Sequence, residues 1–503
     1  MFMELMMQEC QLQYLDGSYI QQIPVEQTAE LIVPDKCADA EEILDTFGTL
    51  IVKENRYEGE VFRLSGSVQA GVLLLTCDGQ PERVETTIPF TMERQILGEG
   101  QRGDMQFQCS LSSVDGKILN SRKLLLRANI SCRIQLLEEQ ERTLHSLEEP
   151  GENLQLRTVE YPTKLAVEQG SKSFTLSEEP ELPELAAPVA RILKTVCCPR
   201  VLEQKAVGGK GVFKMEILLH ILYADPEDRM CSYEWRIPVS QYVDFSHDVE
   251  GGQLHTTIQL TDLDLEPDSR VQSRRLFFRV GLLAQCVVYE IRRISVIEDA
   301  FCTDAVLQPK WQNWQCRSLL DSREMSTEAR WRTEEGISSV VDVWAQPMEP
   351  ELQRQGDSVN IKLPVNCSLV YYDTKGQLRG RSIQAVGETE LPLHASANVM
   401  LRGLCCGQVF ANAGPAGAEL RIPIQFRADS FVTQLIRDLE EAEIRELPAS
   451  GERKPALILR RIHREESLWD IAKSYSAPVE GIRSANELDQ DSVPENTMLL
   501  IPL

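Results

Sequence analysis

The 503-residue sequence has little that would suit a metal site, a membrane or a nucleic acid. Its six histidines lie in unrelated contexts, and its fourteen cysteines include no CxxC pair, so the paired ligand spacing of a zinc site is missing. No apolar run approaches the roughly 18 residues that a membrane span needs. Lys and Arg number 52 against 77 Asp and Glu, a formal charge of −25 that repels phosphate backbones and anionic headgroups. The opening MFMELMMQECQLQYL has Glu4 where a secretory leader would be apolar and lacks a basic start. Together these absences predict a cytoplasmic protein with reduced, mostly buried thiols, no metal, no cofactor, no membrane span and no nucleic-acid partner.

The composition that remains, 42% hydrophobic and 26% charged, is that of globular protein, and the length calls for several folded units. Three similar stretches recur. Each begins with a long apolar strand ending in a polar turn: GVLLLTCDGQ from 71, LLHILYADPED from 218, CSLVYYDTKGQ from 367. Asp78, Asp225 and Asp373 in those turns fall 147 and 148 residues apart. A proline-bearing strand follows in each, TTIPF, WRIPV and TELPL, and proline suits an edge strand because it cannot donate to the ladder. A third run closes each stretch, starting at Lys123, Arg274 and Ala418. Short helical patterns precede the first two, with Leu44 and Leu193 149 residues apart.

The expected architecture is mainly β: three tandem antiparallel β-sandwich or barrel-like repeats at 1–136, 181–300 and 301–430. An acidic linker is expected over 137–180. The helical spacing of FVTQLIRDLEEAEIREL predicts a helix, then a hinge, across 431–455, and a separate module over 456–503.

Nothing in the repeats has catalytic spacing, so no catalytic residue is assigned and a non-enzyme is expected. GGKG at 208–211 lacks the remainder of a phosphate loop and reads as a tight turn. The tripeptide Ser246-His247-Asp248 reads as a solvated turn, since triads are assembled across a fold.

The terminal module is more specific. LILRRI at 457–462 is a strand pattern; Ser467 with Asp470 three positions on has capping-box geometry. Leu468, Ile471, Ala472 and Tyr475 share one helical face, Val479, Ile482 and Ala485 a second, and TMLLIPL closes with a strand, giving β-α-α-β. With SLWDIAKSY, VEGIRSANEL and VPENTMLLIP at these spacings, the segment resembles the LysM family. That resemblance implies a shallow groove for peptidoglycan or another N-acetylglucosamine polymer, with Arg464, Glu465, Glu466, Ser467 and Leu468 on one wall and Asn486, Glu487 and Leu488 on the other. Glu465 and Glu495 stand where that family usually has glycine, which moves the expected ligand from sugar toward protein.

The order of β-rich repeats ending in one LysM module also resembles the SipL family of clostridial spore-coat morphogenetic proteins. This implies a non-enzymatic scaffold on the mother-cell side of the forespore surface, its LysM module binding a morphogenetic coat protein; the alternative is a peptidoglycan-binding anchor for wall or cortex.

Overall fold

The computed structural model describes residues 2–4, 7–17, 19–96, 103–147, 153–268, 274–446, 456–462, 466–488 and 497–503. Apart from two short helices, its regular elements are antiparallel strands. The first part runs β1 (Phe2–Glu4), β2 (Gln8–Asp16), β3 (Ile20–Ile32), β4 (Ala40–Glu58), β5 (Val61–Thr76), β6 (Pro81–Gln95), β7 (Gly103–Asn120) and β8 (Lys123–Ser146). The second has β9 (Leu154–Glu178), β10 (Arg191–Val207), β11 (Lys210–Ala224), β12 (Met230–Asp244), β13 (Gln253–Pro267) and β14 (Leu276–Cys302). The third has β15 (Ala305–Thr333), β16 (Ile337–Pro347), β17 (Glu351–Gln355), β18 (Ser358–Asp373), β19 (Leu378–Pro392), β20 (Ala397–Cys406), β21 (Phe410–Gly414) and β22 (Gly417–Glu446). Last come β23 (Leu457–Arg461), α1 (Leu468–Tyr475), α2 (Val479–Ala485) and β24 (Met498–Pro502).

Two kinds of sheet result. Strands near one another in the chain form small meanders, β4-β5-β6, β10-β11-β12 and β16-β18-β19, the last with β17 also paired to β18; β6, β12 and β19 carry Pro89, Pro238 and Pro392. Long-range pairing forms three ribbons: β8 with β2 and β3, β14 with β9, and β22 with β15. All of these sheets are open; none closes into a barrel. In the turns after β5, β11 and β18, the carboxylates of Asp78, Asp225 and Asp373 accept backbone N–H groups, which satisfies donors that the sheet leaves free.

Each part of the chain has its own apolar core where meander meets ribbon. Phe62, Phe90, Leu124 and Ile134 mark the first, Phe213, Ile217, Phe278 and Leu282 the second, and Ile361, Val365, Leu420 and Ile424 the third. The far halves of the ribbons pack on one another instead. Leu12, Tyr14 and Leu144 of the first meet Leu165, Ile294 and Val296 of the second and Trp314, Cys316 and Ile436 of the third. Asp438, fully buried, ties all three ribbons: it accepts from His145 N (3.2 Å), Ile297 N (3.3 Å) and Gln312 Nε2 (3.2 Å), and His145 Nδ1 lies 3.1 Å away.

Several expectations are corrected here. The segment 431–446 is strand, the far half of β22, not helix. A bulge at Glu440, where the β15–β22 register slips by one, breaks the strand alternation of this segment, so its apolar positions mimic helical spacing. The helical patterns near Leu44 and Leu193 are strand too, lying in β4 and β10, where a bulge at each leucine has the same masking effect. Acidic 137–180 is not an irregular linker: it contains the end of β8 and all of β9, whose ribbon pairing satisfies their backbone, while 148–152 lie outside the described residues. Of the expected hinge, residues 447–455 lie outside the described residues. No helix among the described residues is long and apolar enough to cross a membrane, and no metal-ligand cluster occurs among them.

Candidate glycan-binding module

The C-terminal module is built on β23 and β24, paired antiparallel from Leu457↔Pro502 to Arg461↔Met498, with α1 and α2 packed against one face. Ser467 starts α1: its Oγ accepts from Asp470 N at 3.1 Å and donates to Asp470 Oδ2 at 2.6 Å. Ser476 ends it in the left-handed region, φ 50°, and Ala477 N returns to Ala472 O. Leu468, Ile471, Ala472 and Ile482 form the core with Ile462, Leu499 and Ile501, as the spacing implies, whereas Ala485 is exposed.

The residues assigned to a groove have differing surroundings. Arg464 and Glu465, and also Glu495, lie outside the described residues. Glu466 is half-buried against Arg460, whose guanidinium also lies over the Tyr475 ring, 5.4 Å from its centre. Ser467 is the helix cap, and Leu468 is fully buried. Asn486 donates to Ile482 O (2.7 Å) and Leu500 O (2.6 Å) and accepts from Leu500 N (2.7 Å), so its amide fastens α2 to β24. Glu487 is exposed at φ 51°, and Leu488 packs beside the core.

Sequence reading missed how the module sits on the rest of the chain. Trp469 and Lys473, one turn apart on α1, point at the end of the second ribbon. The Trp469 indole packs edge-on to Phe301, centroids 5.1 Å apart, and its Nε1 donates to Asp299 Oδ2 at 2.8 Å. Lys473 Nζ reaches both Asp299 oxygens, and Val479 N donates to Gln155 Oε1. Burial pushes the Asp299 carboxyl up, but the bonds from Lys473 and Trp469 outweigh it and hold the group below the usual carboxylate range. The sequence signal was an indole and an ammonium on the α1 face away from the module's own core.

The family comparison is specific: the LysM domain matches residues 461–502, and the chain carries a LysM domain there. No curated protein and no solved structure matches the chain, so the likeness to the SipL family has no counterpart in these comparisons.

Proposed function

We propose that the chain is a non-catalytic glycan-binding protein whose LysM domain takes an N-acetylglucosamine polymer such as peptidoglycan, and whose β-rich body presents that domain. The LysM match over 461–502 carries this reading. It is supported by the docking geometry: the ribbon end engages Trp469, Lys473 and the start of α2, while Glu487, at the far end of α2, stays exposed. Co-sedimentation of the full chain with purified peptidoglycan tests it, with the chain cut after residue 446 as the control. Binding that vanishes in the shortened chain is expected; a full chain left in the supernatant sinks the proposal.

A protein ligand is the second reading, with the module joining a spore-coat morphogenetic protein on the mother-cell side of the forespore surface. It is favoured by the outer face of β23 and β24, where Leu457, Leu459 and Met498 are each about half exposed beside Arg461. We also read the three parts of the body as related units, since each combines a ribbon, a meander and an aspartate-capped turn at matching positions, the third meander carrying β17 as an extra strand.

A further inference from the structure

Where the three meanders meet, each contributes one charged side chain from the same place. The pairing of β4 with β5 skips a residue between Ile43 and Asp45; β10 with β11 skips between Ile192 and Lys194; β16 with β18 skips between Val340 and Asp342. The bulged residues are Leu44, Leu193 and Val341. A bulge re-aims the next side chain. Asp45, Lys194 and Asp342, 149 and 148 positions apart, converge: Lys194 Nζ lies 2.6 Å from Asp45 Oδ2 and 3.0 Å from Asp342 Oδ2. Their side chains are 1–2% exposed. Ser368 Oγ bridges Lys194 and Asp45, and His220 Nε2 holds the other Asp342 oxygen at 2.7 Å. The residues paired opposite the triad, Leu73, Leu222 and Val370, join Leu44 and Leu193 in one apolar cluster.

An apolar residue at each of the three positions would fill this centre at no desolvation cost, and replacing a buried ion set by matched apolar groups is often neutral or stabilising. What charge adds is discrimination, because a like-charged neighbour is rejected. We propose that the triad is a partner code. Each meander accepts at this centre only a set of two acids and one lysine, which the same chain supplies, and it rejects the corresponding meander of a second copy. Three first units would bring together three carboxylates, and three second units three ammonium groups, at a site closed to bulk solvent. The second unit, sole donor of the lysine, is therefore needed in every assembled set of three meanders.

The code rests on the reading of the three parts as related units; superposing the three meanders tests that premise by itself. The proposal is tested in the full chain by moving the lysine. Lys194→Asp leaves three acids and Asp45→Lys leaves two lysines, and each is expected to lower the melting temperature by 10 °C or so or to yield insoluble protein. The double variant Asp45→Lys/Lys194→Asp keeps the set and exchanges its donors, so it is expected to recover at least half of the loss. A double variant no better than its worse single would overturn the code. A neutral triad, Asp45→Asn/Lys194→Met/Asp342→Asn, is expected to stay folded but to self-associate more than the native chain in light scattering; association equal to the native chain's would also overturn it.

Discussion

Lys473 sets its ammonium 2.7 and 2.9 Å from the two carboxylate oxygens of Asp299, 174 residues earlier in the chain, and so fixes the LysM domain to the second ribbon. Among the described residues, Asp299 is the acceptor for both Lys473 Nζ and Trp469 Nε1. Asp299→Ala should therefore free the module without unfolding the body. Limited proteolysis is expected to cut within 447–455 faster than in the native chain, with the body's melting temperature within about 2 °C of native. Unchanged cleavage would show that Phe301 and Gln155 suffice for docking.

Asn486→Ala removes three hydrogen bonds and leaves Leu500 N–H and the Ile482 and Leu500 carbonyls without that partner. A loss of about 1–3 kcal/mol, local to the module, is expected. Hydrogen exchange checks it: the Leu500 amide should lose protection while amides of β9 and β14 keep theirs.

Asp438→Ala should act on the body. It strips one acceptor from all three ribbons and leaves His145 and the Ile297 amide buried without it. About 3–5 kcal/mol of destabilisation is expected from denaturant unfolding. A change below 1 kcal/mol would mean that the ribbons are held by Leu12, Ile294, Trp314 and their neighbours alone.

Acid should weaken the body in two stages. Burial holds His255 below its ordinary value of 6.5, although Asp429 lies 3.1 Å from Nδ1 and opposes the shift; the positive charges of Arg402 and Arg427 act with burial. The unfolded chain then binds a proton that the folded chain refuses, so stability falls as pH drops below about 6.5. The Asp429 carboxyl, which burial raises but His255 and Arg402 lower further, sits at about 2. Its contribution, present above the unfolded value near 4, is lost as pH falls toward 2. His255→Gln should flatten the slope of stability between pH 7 and 5 by up to about 1.4 kcal/mol per pH unit. An unaltered slope would place the titration elsewhere.

Much of the β-rich body could be read from residue order. The apolar strands ending at Asp78, Asp225 and Asp373, and the prolines of the outer strands, are local features, and each stands where its neighbours imply. The LysM domain was equally legible, because Ser467 with Asp470 and the apolar faces of α1 and α2 need only a few turns of chain. The ribbons were not. The bulge at Glu440 disturbs alternation in β22, as those at Leu44 and Leu193 do in meander strands, and the partner that makes a ribbon segment a strand can lie more than a hundred residues away. The charged triad was hidden for another reason: at matching positions it holds Asp, Lys and Asp, so similarity of residue type could not reveal it. Asp299 and Lys473 were hidden by distance alone.

The 27-residue β14 would span roughly 90 Å if fully extended at about 3.3 Å per residue, and its far end holds the LysM domain. Its antiparallel ladder with β9 lies across that axis. A pull between an immobilised glycan and the meanders would load many of these hydrogen bonds side by side, in shear, rather than peel them open one by one. If the LysM domain binds glycan as proposed, the ribbon would resist tension along its length.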